Sequence, residues 1–168
     1  MKQGIEFFSF DVDFFQDDKI LFVSAKFGEK GENIAIKLLC KIYRNGYFLE
    51  WNDDAALLFA KSAGNYTHSL VSDVVHELVK RGFFDKSIFN SFGVLTSRGI
   101  QTRYFKACER RKEVEINQNY LLIDPRKWAN IKVMPEPCKH SGQKCEHDVD
   151  ILPENANIFR QSKVKEIY

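Results

Sequence analysis

Six basic side chains crowd into the stretch from Ser97 to Lys112: Arg98, Arg103, Lys106, Arg110, Arg111 and Lys112 stand against Glu109 alone. Guanidinium and ammonium groups at this density suit a row of phosphates. Phosphate contacts supply most of the sequence-independent affinity for nucleic acid, and the arginine fork matches two phosphate oxygens at once. Net charge is only +2 over 168 residues, so the whole-molecule field is weak and any pull on a polyanion must come from such local clustering. The competing reading is a solvated helix end whose cations complement the helix dipole.

Cys138, His140, Cys145 and His147 bring two Cys and two His into ten residues, a ligand set that zinc favours. The spacing is two C-x-H pairs rather than the usual C-x2-4-C and H-x3-5-H, so a site forms only if the loop wraps the ion. Apart from this candidate, no cofactor is expected. Asp11, Asp13, Asp17 and Asp18 have the chemistry of a carboxylate metal site, yet a run of this kind more often caps a helix and faces water. No G-x-S-x-G, P-loop, Gly-rich dinucleotide fingerprint or H-E-x-x-H occurs. The expectation is a binding protein and not an enzyme.

The elements that must hold these groups are read from periodicity. Hydrophobic residues make up 44% and aromatics 14% of the chain, enough for a packed core. The spacing predicts helices over 17–28, 31–46, 52–64 and 68–82. Ile34, Ala35, Leu38, Leu39, Ile42 and Tyr43 make the clearest stripe. The last two helices are joined by a short turn at 65–67, which is the helix-turn-helix arrangement. "YFLEW" (47–51) and "VLTS" (94–97) read as short strands and "KSIFNSFG" (86–93) as a loop, so that 83–85 and 94–97 pair as a hairpin. The basic helix then runs over 97–112. Beyond 112 periodicity fades, all four prolines gather, and an irregular C-terminal extension is expected over 113–168. Cys40 and Cys108, within helical patterns, are expected as reduced, buried thiols. The first residues lack the uncharged core of a signal peptide and no run reaches the ~18 apolar residues of a membrane span, so a cytoplasmic location is expected, without membrane contact.

The order of helices, "YFLEW", "LVKRGFFD" (78–85) and above all "GVLTSRGIQTRYFKACERRK" (93–112) resemble the N-terminal domain of unknown function in replication proteins of phages and conjugative elements. That domain is similar in turn to phage replisome organiser and DnaD-type N-terminal domains. Many such proteins carry a further C-terminal region. The resemblance spans about residues 5 to 112 and implies a winged helix with a role in replication. The fold class expected is therefore mainly α with a small β-hairpin, a winged helix-turn-helix over 1–112.

In a winged helix the second helix of the pair enters the major groove. Here Thr67, His68, Ser72, His76 and Lys80 would face it, with Ser69 and Asp73. Asp73 and Glu77 would repel phosphate, and only Lys80 and Arg81 would attract it. DNA is the partner expected first, held mostly through its backbone by the wing and the 97–112 helix. The alternative is an interaction module that contacts replication proteins or a second copy of itself through the aromatic N-terminal segment around Phe7, Phe8, Phe10, Phe14 and Phe15. Exposure of that segment favours the alternative, and folding of the basic helix against the Asp11–Asp18 acids favours a structural role for its cations.

Overall fold

The computed structural model describes residues 3–134. Asp17 caps the first helix, accepting from the Lys19 N–H at 2.9 Å, and α1 (Asp18–Phe27) passes into α2 (Glu29–Asn45) through Gly28. At φ 63° this residue needs the left-handed conformation that glycine adopts without a Cβ penalty. The stripe of α2 is buried as its spacing requires, and α1 packs against both α2 and α4 (His68–Lys80).

Asn52 caps α3 (Asp53–Gly64), accepting from Ala55 N–H at 2.8 Å, and Thr67 caps α4, accepting from Leu70 N–H at 3.3 Å. These caps satisfy first-turn amides that have no partner within the helix. Val71, Val74, Val75 and Leu78 of α4 are fully buried beside Phe59 and Ala60 of α3, each large side chain contributing about 1.5–3 kcal/mol of apolar burial.

The expected hairpin is not formed. Residues 86–92 are a helix, α5 (Lys86–Phe92), capped by Asp85, which accepts from Ile88 N–H at 2.9 Å, and ended by Gly93. The following strand β2 (Val94–Leu95) pairs antiparallel with β1 (Leu49–Glu50), in the register Leu49↔Leu95 and Glu50↔Val94. Segment 83–85 meets the residue that follows β2 through a backbone bond, Asp85 N–H to the Thr96 carbonyl at 2.8 Å. A buried Leu95 beside a buried Leu49 places this strand pair against the core, and the short loop was free to wind once Asp85 supplied a cap.

The basic helix is also shorter than its charge pattern predicts: α6 is Arg98–Ala107. Cys108 is buried at its end, and the Asn130 side-chain amide donates to the Cys108 carbonyl at 2.8 Å and the Arg111 carbonyl at 3.1 Å. These bonds satisfy carbonyls that a continuing helix would otherwise use, and the chain turns into β3 (Val114–Asn117), which pairs parallel with β4 (Ile131–Met134). Val114 and Ile116 are part of the core, and Trp128 packs edge-on to Phe105 with centroids 5.4 Å apart. Residues 113–134 thus join the same core as the helices.

A buried polar network ties these parts together. The Gln101 amide donates to the Tyr120 carbonyl at 2.6 Å and Thr96 Oγ1 at 3.3 Å, while its Oε1 accepts from Leu122 N–H at 2.9 Å. The Thr96 hydroxyl donates to the Tyr47 carbonyl at 2.7 Å, and the Tyr47 hydroxyl accepts from Asn117 N–H at 2.8 Å. Satisfied polar groups of this kind fix one arrangement of a core, because each unpaired member would be costly. Burial pushes the Tyr47 hydroxyl up to about 12.

Candidate nucleic-acid interface

The inner face of α6 sorts its side chains. Ile100, Gln101, Tyr104, Phe105 and the capping Cys108 are buried, which turns Arg98, Thr102 and Lys106 to solvent. Arg110 and Lys112 are exposed on the turn that follows. Among the described residues Arg98, Lys106, Arg110 and Lys112 take part in no salt bridge.

Arg103 and Arg111 have other duties. Arg103 pairs with the Asp11 carboxylate, and Arg111 donates to the carbonyls of Gln3 at 2.9 Å and Gly4 at 2.7 Å. Both therefore grip the N-terminal arm. The arm is seated at its root by Gly4, where a Cβ would fall 1.8 Å from the Arg44 carbonyl oxygen, and by Ile5 N–H, which donates to the Tyr43 carbonyl at 2.9 Å. Phe8 stacks on Tyr43 with centroids 4.3 Å apart and Phe14 is buried, whereas Phe7, Phe10 and Phe15 are exposed.

The second helix of the pair offers less than its sequence suggests. Thr67 is spent as the cap of α4. His68 and Ser72 are half-buried, and His76 lies 2.7 Å through Nδ1 from the Ser72 carbonyl and edge-on to Phe89. Lys80 is exposed. Glu77, expected to face and repel phosphate, is instead buried: Arg81 Nε donates to it at 2.7 Å and Lys26 Nζ at 3.1 Å. The Arg81 hydrogen bond, then that of Lys26, hold the Glu77 carboxyl below its ordinary range. Arg81 also lies 3.8 Å over the Phe22 ring, so it is not an outward cation. Glu77 occupies a helix position where an internal ion triad neutralises it, and no spacing rule announces its partner on α1.

Asp17 is a cap and Asp11 an ion-pair partner. Among the described residues no three or more His, Cys, Asp or Glu side chains gather where they could hold a metal ion. The zinc candidates Cys138, His140, Cys145 and His147 lie outside the described residues. Cys108 is a buried free thiol that desolvation pushes up, while Cys40 is free and, against expectation, exposed on α2. Among the described residues no helix is long and apolar enough to cross a membrane.

Residues 7–100 match the family described as Lin1244/Lin1753-like, N-terminal. The chain belongs to this family. A protein of Listeria innocua serovar 6a (strain ATCC BAA-680 / CLIP 11262), named Uncharacterized phage-related protein Lin1244/Lin1753, is 37% identical over 131 residues, covering 78% of this chain and 43% of that protein. The chain therefore spans less than half the length of this curated relative. No solved structure matches. The Lin1244/Lin1753-like match runs from the arm through α5 and β2 and ends two residues past Arg98, so it takes in Asp11 and Arg98 and stops short of Arg103.

Proposed function

We propose that this phage-related domain binds DNA, as a winged-helix-type unit serving the replication of a phage or mobile element, and that it acts by binding and not by catalysis. The observation that carries the reading is the set of outward cations, Arg98, Lys106, Arg110 and Lys112, with only Glu109 among them. Exposed cations without internal partners keep their full charge for phosphates, and binding of this kind is electrostatic and largely indifferent to sequence. Lys80 on α4 adds a cation on the helix that would approach a groove, while the exposed Asp73 and the uncharged side chains of that face argue against close base reading. The winged-helix reading is supported by the α3–α4 pair and by the β1–β2 ladder, while α5 stands where the wing hairpin was expected. The replication role rests on the resemblance to phage and conjugative-element domains and on the phage-related relative.

The test is fluorescence anisotropy with a labelled random duplex and a labelled single strand at two salt concentrations. Wild type is expected to bind at low salt and release at high salt, and Arg98→Glu, Lys106→Glu, Arg110→Glu, Lys112→Glu to lose binding. No binding to either DNA at low salt would defeat the reading. A second reading, an interface for replication proteins or another copy of the chain, is favoured by one observation: Phe7 is 83% and Val12 100% exposed, and apolar side chains held in water mark interaction surfaces. Sedimentation of wild type against Phe7→Ser checks it, with loss of self-association expected in the variant.

A further inference from the structure

Three donors meet the N-terminal arm, and a fourth lies beside them. The Tyr104 hydroxyl donates to the Gln3 carbonyl at 2.6 Å, Arg111 to the Gln3 and Gly4 carbonyls, and Arg103 to the Asp11 carboxylate. The fourth, the Tyr43 hydroxyl, is 2% exposed and lies beside the Arg103 guanidinium with no hydrogen-bond partner of good geometry. Among the described contacts, what the arm presents to Arg103, Arg111 and Tyr104 is oxygen: two carbonyls and one carboxylate. A phosphodiester presents the same acceptors with a full negative charge, and charge-assisted bonds are about twice as strong as neutral ones. Burial pushes the Tyr43 and Tyr104 hydroxyls up, so both stay protonated and able to donate.

The arm is a thin cover. A groove of about 760 Å³ separates it from α6, with Arg103, Lys106 and Arg111 along one wall, so the covered cations are continuous with the exposed Lys106. Most of the arm's outer side chains remain in water, and the Asp11–Arg103 pair is itself half-exposed, which makes it sensitive to competing anions and to salt.

We propose that Arg103 and Arg111, with the hydroxyls of Tyr43 and Tyr104, form a second row of phosphate contacts that the N-terminal arm occupies in cis and that DNA phosphates take over. This inference rests on the DNA-binding reading and adds a regulator to it: the arm competes with DNA for the same donors, and the row extends the surface made by Arg98, Lys106, Arg110 and Lys112.

Asp11→Asn keeps the shape of the arm and removes its charge from Arg103. In anisotropy with a labelled random duplex, Asp11→Asn is expected to bind about threefold to fivefold tighter than wild type at low salt, the span of one surface ion pair. The slope of log affinity against log salt is expected to steepen by ~0.9 for the added phosphate contact. Asp13→Asn, which removes the same charge two residues away, is expected to stay close to wild type. Hydrogen exchange of the Ile5 amide, bonded to the Tyr43 carbonyl, is expected to accelerate on addition of the duplex. Gly4→Ala, whose Cβ has no room at Arg44, is expected to unseat the arm and tighten binding in the same direction. Equal affinity and slope for wild type and Asp11→Asn, or equal gains from Asp11→Asn and Asp13→Asn, with Ile5 exchange unchanged by saturating duplex, would overturn the inference while leaving DNA binding intact. A folded wild type that binds no DNA at all would instead overturn the DNA reading, and this inference with it.

Discussion

Glu77 and Asp11 each receive an arginine, under opposite conditions. The Glu77 side chain is 6% exposed and is shared by Arg81 and Lys26, whereas Asp11 is 51% and its partner Arg103 36% exposed. Water reaches both members of the second pair, whereas in the first it reaches the cations, Arg81 at 33% and Lys26 at 58%, and not the acid, so equal formal charges have unequal consequences. The buried acid commits Arg81 and Lys26 to joining α1 to α4. The exposed acid leaves Arg103 on loan. Burial therefore divides the basic side chains into those that hold the fold and those that can meet a partner, a division that counting charges along the chain cannot make.

The sharpest way to break this comparison is to truncate both acids. Glu77→Ala is expected to lower unfolding stability by about 2–3 kcal/mol, because it strips two cations of a shared, water-excluded partner; urea denaturation measures it. An unchanged midpoint would mean that the triad is ornamental and the contrast false. Next in size is the pH response. A carboxyl held below its ordinary range contributes stability that is complete above its unfolded value, ~4.3, and is lost as pH falls through the folded value. Glu77→Gln is accordingly expected to flatten the acid limb of a stability-against-pH curve, and a limb of undiminished steepness in that variant would assign the acid sensitivity elsewhere. The smallest effect belongs to Asp11→Ala, expected to shift stability by less than ~0.5 kcal/mol in the same denaturation experiment. A loss as large as that of Glu77→Ala would place Arg103 among the structural cations.

Much of the helical framework was legible. The stripes of α2 and α4 and the caps Asn52 and Thr67 declare their elements locally, because periodicity and capping chemistry act within a few residues. What failed was whatever depended on a distant partner. Nothing near Val94 says that it pairs with Glu50, and α5 is too short to show a stripe, so 86–93 read as a loop. The end of α6 is set by Asn130, over twenty residues on. Of the candidate interface, the basic cluster was visible as composition, and folding against the Asp11–Asp18 acids was expected as the mark of a structural role, which the Arg103–Asp11 pair meets in part. The grip of Arg111 was not visible, because its partners include backbone carbonyls of Gln3 and Gly4, which every residue possesses and no side chain advertises.

The most direct test of the account is the salt dependence of DNA binding by the whole chain. If Arg98, Lys106, Arg110 and Lys112 each neutralise a phosphate, log affinity falls against log salt with a slope of about −3.6, and Arg110→Ala lowers its magnitude by ~0.9. A slope near zero, or one that Arg110→Ala leaves unchanged, would contradict the claim that these cations are the ones held ready for DNA.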